Sequence, residues 1–422
     1  MKLLNVDLLE DALTKLESAM TAAGKNIIET ETLSVRNALG RVLAEDIVCG
    51  ENIPGFNRST VDGYAVVSSD TAGAGESMPV FLEVVGEVEM GQSAPNRVES
   101  GQCMYVPTGG MVPEGADAVA MVEYCQPFGE SQMAVYSPLS YGRNMVMAGD
   151  DVAAGEKVLS RGRKLSPADI GLLCAIGKET AEIYRPWNVY IISTGDELVM
   201  PWETPGPGQI RDVNTYGLIA EAEAMGFEVT GWDIVRDDET AIRECAARAM
   251  KSADIVCISG GSSKGKKDST EAVIDALASS GAFTHGLAVK PGKPTILGFD
   301  EPSGTVIAGL PGHPVAAMLL FREIIGTMWK RFTGMEKEAK TITVPGIMAA
   351  NVAASPGRRT YQLAELDYEH CDDETGLPRV IPVLGKSGLI RTLSRADGYI
   401  IIDVNDEGVC KGQQVQVNIL RG

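Results

Sequence analysis

DIVCISGG (254–261) leading into SSKGKKDST (262–270), GLAVKPGKP (286–294) and TVIAGLPGHP (305–314) are the stretches from which the organisation of this chain can be read. In each of the three, an apolar run ends in a turn rich in Gly or Pro. Repeated in a parallel sheet, such units gather their turns at the carboxyl edge, where open α/β folds bind ligands. The spacing therefore predicts one site built from all of these turns. Lys264, Lys266, Lys267, Lys290 and Lys293 supply positive charge to it. The glycines expose backbone N–H groups, and a helix beginning near Ser269 adds the positive end of its dipole. A site of this makeup calls for an anion.

The same rhythm extends outward. NVYIIS (188–193), a helix over about 215–225, FEVTGWDIV (227–235) and a helix over about 239–251 precede the stretch. HGLAV (285–289) reads as a further strand, and a helix over about 315–331 follows. This alternation predicts a doubly wound three-layer α/β/α domain over 181–334. Residues 46–144 change to short apolar runs broken by Gly and Pro, the pattern of an inserted β-rich domain. Residues 5–23 carry Leu9, Leu13, Leu16 and Met20 at helical spacing, and LSPADIGLLCAIG (165–177) starts a second helix at Ser166-Pro167. The two are expected to pack together, so that residues 1–45 and 145–180 form a helical linker or dimerisation element interrupted by the β domain. Residues 335–422 return to short strands and read as a C-terminal β domain.

The 422 residues suffice for several domains. No apolar run approaches the roughly 18 residues of a membrane helix. The N-terminus lacks the pattern of a secretory signal, so a cytoplasmic location is expected. With 37 basic against 57 acidic residues the formal charge is −20, which argues against a nucleic-acid surface. Lysines gathered in neighbouring turns of so acidic a chain point to a deliberate local field. The eight cysteines form no C-x-x-C pair and read as reduced core residues, and three scattered histidines argue against a zinc centre.

GGSSKGKK (260–267) falls short of a P-loop, because Lys267 stands where Ser or Thr must meet Mg²⁺. ISTGDEL (192–198) brings Gly195, Asp196 and Glu197 to the same sheet edge, and Asp268 closes the lysine-rich turn. Carboxylates among lysines at an anion site suggest Mg²⁺, a hard cation that takes one or two carboxylates beside substrate phosphates. Helix capping is the plainer role for Asp268. GQIRDVN (208–214) offers Arg211, Asp212 and Asn214 for polar contacts to a ligand, or Asn214 as a helix cap. Asp62 and Thr108, in turn-rich segments of the β domain, either face a cleft or are ordinary turn residues. No Ser-His-Asp arrangement is visible, and His313 between two prolines reads as a loop residue.

Taken in order, NIPGFNRSTVDGYAV (52–66), PTGGMVPEGADAV (107–119), AGDDV (148–152), LSPADIGLLCAIG, ISTGDEL, GQIRDVN, the glycine-lysine turn, KPGKP and LPGHP resemble the molybdopterin molybdenumtransferase family, the MoeA and gephyrin E-domain group. The resemblance implies a homodimer in which the α/β domain of one subunit and the β domain of the other form a cleft. It also implies a substrate, adenylylated molybdopterin, into whose dithiolene molybdate or tungstate is inserted with Mg²⁺ while AMP is released. Other partners it implies are the adenylylating enzyme and the apoenzymes that accept the cofactor; nucleic acid and membrane are not among them.

Carried onto matching positions, the resemblance makes Asp62, Asp151, Glu197 and Asp268 the catalytic carboxylates, with Glu197 and Asp268 at the metal. Thr108, Gly195, Asp196, Arg211, Asp212, Asn214, Gly260, Gly261 and Lys264 would bind substrate. Lys290, Lys293, Pro311, Pro314 and Ser387 would frame the oxyanion. The chain departs from the family pattern at GGSSKG, at PGHPVAA, where Ala316 replaces an expected serine, and at RRTYQL, where Leu363 replaces a frequent arginine. Arg358, Arg359, Arg391 and Arg395 are the candidates to compensate. The alternatives are a non-catalytic molybdopterin carrier or scaffold, fed by those departures, and a molybdopterin adenylyltransferase built on a related α/β domain.

Overall fold

A computed structural model describes residues 6–23, 28–260, 268–338, 342–386 and 388–420. The α/β domain centres on a six-stranded sheet in the order Glu228–Val235, Asn188–Thr194, Ile255–Gly260, Thr305–Leu310, Ile296–Asp300, Ala282–His285. The first four strands are parallel, and the hairpin partner Ile296–Asp300 runs against them. Alternation along each strand makes two cores. Ile191, Cys257 and Ala308 face one side, against Leu218 and Ala222 of helix Asn214–Ala224 and Leu319 and Leu320 of helix Pro314–Phe321. Ile192, Val256, Ile258 and Ile307 face the other, against Ile242 and Ala246 of Glu239–Ala249 and Val273 and Ile274 of Asp268–Leu277. The expected three-layer domain is thus present, with an antiparallel edge.

Two sequence expectations change. HGLAV is not a strand of this sheet: Ala282–His285 takes the edge, and Val289–Lys290 pairs in parallel with Arg359–Asp367 of the C-terminal domain, Lys290 opposite Thr360. Helix Leu9–Ala22 does not share the core of Pro167–Ala175. Its Leu9, Leu13, Leu16 and Met20 join the Val189 and Leu218 side of the α/β sheet, whereas Leu173 packs with Val35, Leu43 and Leu165. The larger apolar stripe went to the larger core, which buries more surface.

The remaining N-terminal part is stitched from distant segments. Thr30–Ser34 pairs with Thr180–Tyr184 and Ile47–Val48 with Lys157–Leu159, both antiparallel. Ser166 caps Pro167–Ala175 in a reciprocal box with Asp169. Between these crossings lies the β-rich insertion, a six-stranded sheet in which Gly63–Val66 sits between Gln102–Val106 and Ala118–Met121. In the C-terminal domain, Arg359–Asp367 pairs with both Arg379–Pro382 and Gly398–Ile402, which closes five strands into a ring. All eight cysteines are free, but Cys174, Cys371 and Cys410 are exposed rather than in a core. Among the described residues no helix is long and apolar enough to cross a membrane.

Candidate functional site

Three parallel strands deliver chemistry to one sheet edge. Asn188–Thr194 runs into Gly195, Asp196 and Glu197; Ile255–Gly260 ends at Ser259 and Gly260; Thr305–Leu310 runs into Gly312 and His313. With Ile210–Asn214 and Asp237 they line a cavity of about 830 Å³. The close approach of neighbouring backbones dictates glycine at 260, where φ is 126° and a Cβ would lie 2.3 Å from the Thr194 carbonyl oxygen. At Gly195 a Cβ would come within 2.9 Å of the Glu197 carboxylate, which folds back over that turn.

The floor of this cavity is a buried polar network. Asp212 Oδ1 accepts from the backbone N–H groups of Asn214 (2.9 Å) and Thr215 (3.3 Å) and from Ser193 Oγ (3.3 Å). Helix Asn214–Ala224 therefore starts on Asp212, not on an Asn214 cap. Asn214 Nδ2 instead donates to Ser259 Oγ (2.8 Å) and the Gly312 carbonyl (2.9 Å), tying two strand ends together. Four oxygens are buried here without a hydrogen-bond partner among the described residues: Thr194 Oγ1, Asp212 Oδ2, Asn214 Oδ1 and Asp237 Oδ1. Leaving such groups unpaired costs about 1–3 kcal/mol each, more for charged ones. Oxygen donors that include carboxylates are the ligand type a hard divalent cation takes, although among the described residues no group of three or more His, Cys, Asp or Glu side chains is placed to hold a metal ion.

A second cavity, of about 540 Å³, opens where the α/β domain meets the C-terminal ring. Lys290 and Lys293 enter from the KPGKP turn, and Arg358, Thr360, Gln362, Leu363 and Lys386 from the ring. Gly292 lets the turn lie on helix Pro314–Phe321, since a Cβ there, at φ 120°, would strike Leu320 Cδ1 at 2.2 Å. Behind the cavity, Tyr361 and Tyr399 donate to Glu323 at 3.1 and 2.6 Å, from the π turn Arg322–Gly326. Burial first, and then the Glu323 charge, push both phenols far above the ordinary tyrosine range.

Of the turns expected to make one site, the lysine-rich turn with Lys264, Lys266 and Lys267 lies outside the described residues, and the others line two cavities with His313 in the wall of both. Gly195, Asp196, Glu197, Arg211, Asp212, Asn214 and Gly260 all line the first. Arg211 also donates from Nε to the Glu203 carbonyl, and Asp196 accepts from the Asp237 N–H. Lys290 and Lys293 line the second. Pro314 lines the first cavity rather than the second, and Pro311 is buried with its carbonyl accepting from Ser259. Ala316 is buried within its helix. Asp62 Oδ1 accepts from both N–H and hydroxyl of Thr108 in the β domain, and these two, like Asp151, line neither cavity within one chain. Gly261, Lys264, Ser387 and the Asp268 side chain lie outside the described residues, although helix Asp268–Leu277 does start at Asp268. Sequence reasoning missed Asp237, Ser259 and Lys386 and undervalued His313. Asp237 was findable, since it follows the fourth parallel strand at the same edge.

Three family profiles match in succession: the MoeA N-terminal region (domain I and II) over residues 8–177, a "Probable molybdopterin binding domain" over 190–330, and the MoeA C-terminal region (domain IV) over 345–420. The chain belongs to the MoeA family. It is 32% identical to a molybdopterin molybdenumtransferase of Haemophilus influenzae across 79% of this chain and 80% of that protein. A molybdopterin molybdenumtransferase 2 of Mycobacterium tuberculosis is 31% identical across 92% and 94%. Among solved structures, a MoeA protein of molybdopterin biosynthesis from Pyrococcus horikoshii superposes with a TM-score of 0.81 at 31% identity, covering 99% of this chain and all of that one. Both cavities lie within matched segments, the first mainly in the MoeA-type α/β domain and the second between it and the MoeA C-terminal domain.

Proposed function

We propose that this MoeA-family chain inserts molybdate, or tungstate, into adenylylated molybdopterin with Mg²⁺-dependent release of AMP. Its family makes it an enzyme of molybdenum cofactor biosynthesis. The observation that carries the finer reading is the pairing of two unlike cavities through His313. One is lined by carboxylates and partnerless buried oxygens, the other by cations.

In this reading Glu197 and Asp268 hold the divalent cation in the first cavity, which Asp212 and Asp237 also line. When bound, the cation offsets the phosphate charge that builds up as the bond to the adenylyl group breaks. Asn214 and Ser259 keep the two strand ends in register, so that donors and acceptors are in place before the substrate arrives. Arg211 and the Gly260 backbone bind the anionic nucleotide end. Lys290 and Lys293 hold the oxyanion next door, with Ser387 as a further donor, and the wall around His313 marks where oxyanion and pterin meet. A homodimer is part of the proposal. What supports it is the MoeA-family resemblance, in which a second copy brings Asp62, Thr108 and Asp151 to the cleft; within one chain they line neither cavity. The cytoplasmic setting and supply of substrate by an adenylylating enzyme are carried over from the sequence.

The test is AMP release from adenylylated molybdopterin by the purified protein with Mg²⁺, comparing molybdate, tungstate and no oxyanion. Release that depends on the oxyanion is expected. Tight nucleotide binding with no release would make the chain a carrier, and ATP consumption with free molybdopterin would make it an adenylyltransferase.

A further inference from the structure

We propose that Lys386 and Arg358 complete the oxyanion site, so that a tetrahedral dianion is held between two cations from the α/β domain and two from the C-terminal ring. This rests on the oxyanion reading of the second cavity given above. Acidic residues outnumber basic ones 57 to 37 in the chain, yet the 18 described residues lining this cavity include Lys290, Lys293, Arg358, Lys386 and His313 and no carboxylate. A wall of one sign in a chain of the opposite sign concentrates an anion.

The backbone explains why these two cations arrive there. Leu363, buried at the same wall, is hydrogen-bonded to the segment that carries Lys386: Val383 N donates to the Leu363 carbonyl at 2.8 Å. Gln362 Nε2 fixes that segment again through the Val383 carbonyl at 2.9 Å. Lys386, three residues on, thus lines the same cavity as Leu363, whose aliphatic side chain offers no charge. Arg358 comes from the other direction. The N–H of the next residue, Arg359, donates to the Ala288 carbonyl at 2.9 Å, seating the ring strand against the strand that leads into KPGKP.

The other arginines are engaged elsewhere. Arg359 pairs with Glu10 and Asp403, and Arg395 holds Glu365 through two nitrogens at 2.8 and 3.0 Å. Arg391 does not line the cavity. Arg358, Lys386, Lys290 and Lys293 make no ion pair among the described residues. Three lysines are compact, strongly hydrated point charges, so this site recognises its ligand by net charge more than by planar bidentate hydrogen bonding. Its affinity should therefore fall steeply with ionic strength.

The experiment is equilibrium dialysis of the full-length protein against molybdate at low and high salt, with Lys386→Met, Arg358→Gln and Lys386→Arg, and Arg395→Met as control. Loss of one cation beside a dianion should weaken molybdate binding about tenfold in the first two variants. Lys386→Arg should hold most of the affinity, and Arg395→Met all of it, with unfolding temperatures unchanged. Wild-type binding that survives unaltered in Lys386→Met and Arg358→Gln would overturn the assignment and leave the proposed function standing. A wild-type protein that binds inorganic phosphate but not molybdate would overturn both.

Discussion

The two cavities are neighbours with opposite chemistry. The one at the sheet edge is made mainly by strand ends of the α/β domain and presents carboxylates, amide and hydroxyl oxygens and one arginine, Arg211, whereas the one at the domain junction presents lysines and an arginine and, among the described residues, no acid. Opposite charges in low dielectric attract strongly, so a full mixing of the two sets would favour ion pairs over open ligand sites; the one cation of the first cavity, Arg211, is held from Nε by the Glu203 carbonyl. Kept apart by the His313 wall, each set stays available for a ligand. In the proposed function this partition divides the labour between a cation site within a domain and an anion site at a domain boundary.

The comparison breaks most severely at Glu197. Glu197→Gln keeps size and removes charge, so AMP release should fall about a hundred- to a thousandfold, the cost of losing one preorganised electrostatic group. Molybdate binding in the second cavity should not change. Full turnover with Mg²⁺ by a folded Glu197→Gln protein would refute the division. The reverse cut is Glu323→Ala, which leaves the hydroxyls of Tyr361 and Tyr399 without their acceptor. It should cost about 2–4 kcal/mol of stability and loosen the second cavity alone. Denaturant titration and molybdate dialysis would read both effects; nucleotide affinity lost in equal measure would show that the cavities are not independent.

The smallest effect belongs to a region that serves neither cavity. Burial works to raise the Asp169 carboxyl, but the Arg163 guanidinium and the N–H and hydroxyl of Ser166 outweigh it and hold it below the usual value. A carboxyl depressed in the folded state adds stability above its unfolded value of about 3.9, and that stability is lost as pH falls through the folded value. Asp169→Asn should therefore cost about 1 kcal/mol near neutral pH and flatten the acid limb of the stability curve. An acid limb identical to wild type would show that the box carries no such linkage.

Strand and helix types in the α/β domain were legible because Ile191 and Ile192, or Val256 and Cys257, alternate between two apolar faces. Glycines 195 and 260 were legible because turns at a parallel sheet edge must pass close to one another. What escaped depends on long-range pairing. Nothing in HGLAV says which of two sheets will take Val289, and nothing near Lys386 announces that it will line one cavity with Leu363. The N-terminal helix shows its apolar stripe plainly but not the partner of that stripe. Asp237, Ser259 and Asn214 meet only because three strand ends converge.

Ile47–Val48 and Lys157–Leu159, where the chain leaves for the β-rich insertion and returns, are paired neighbours, and Cys49 N still donates to the Glu156 carbonyl at 2.9 Å. Strands so paired lie about 5 Å apart, a gap that a two-residue turn can span. Genetically, this makes the insertion a cassette: one recombination event can add, exchange or delete it without breaking a strand of the α/β sheet. Selection can therefore reshape the β domain without unravelling the α/β sheet, as long as Asp62 and Thr108 keep their place.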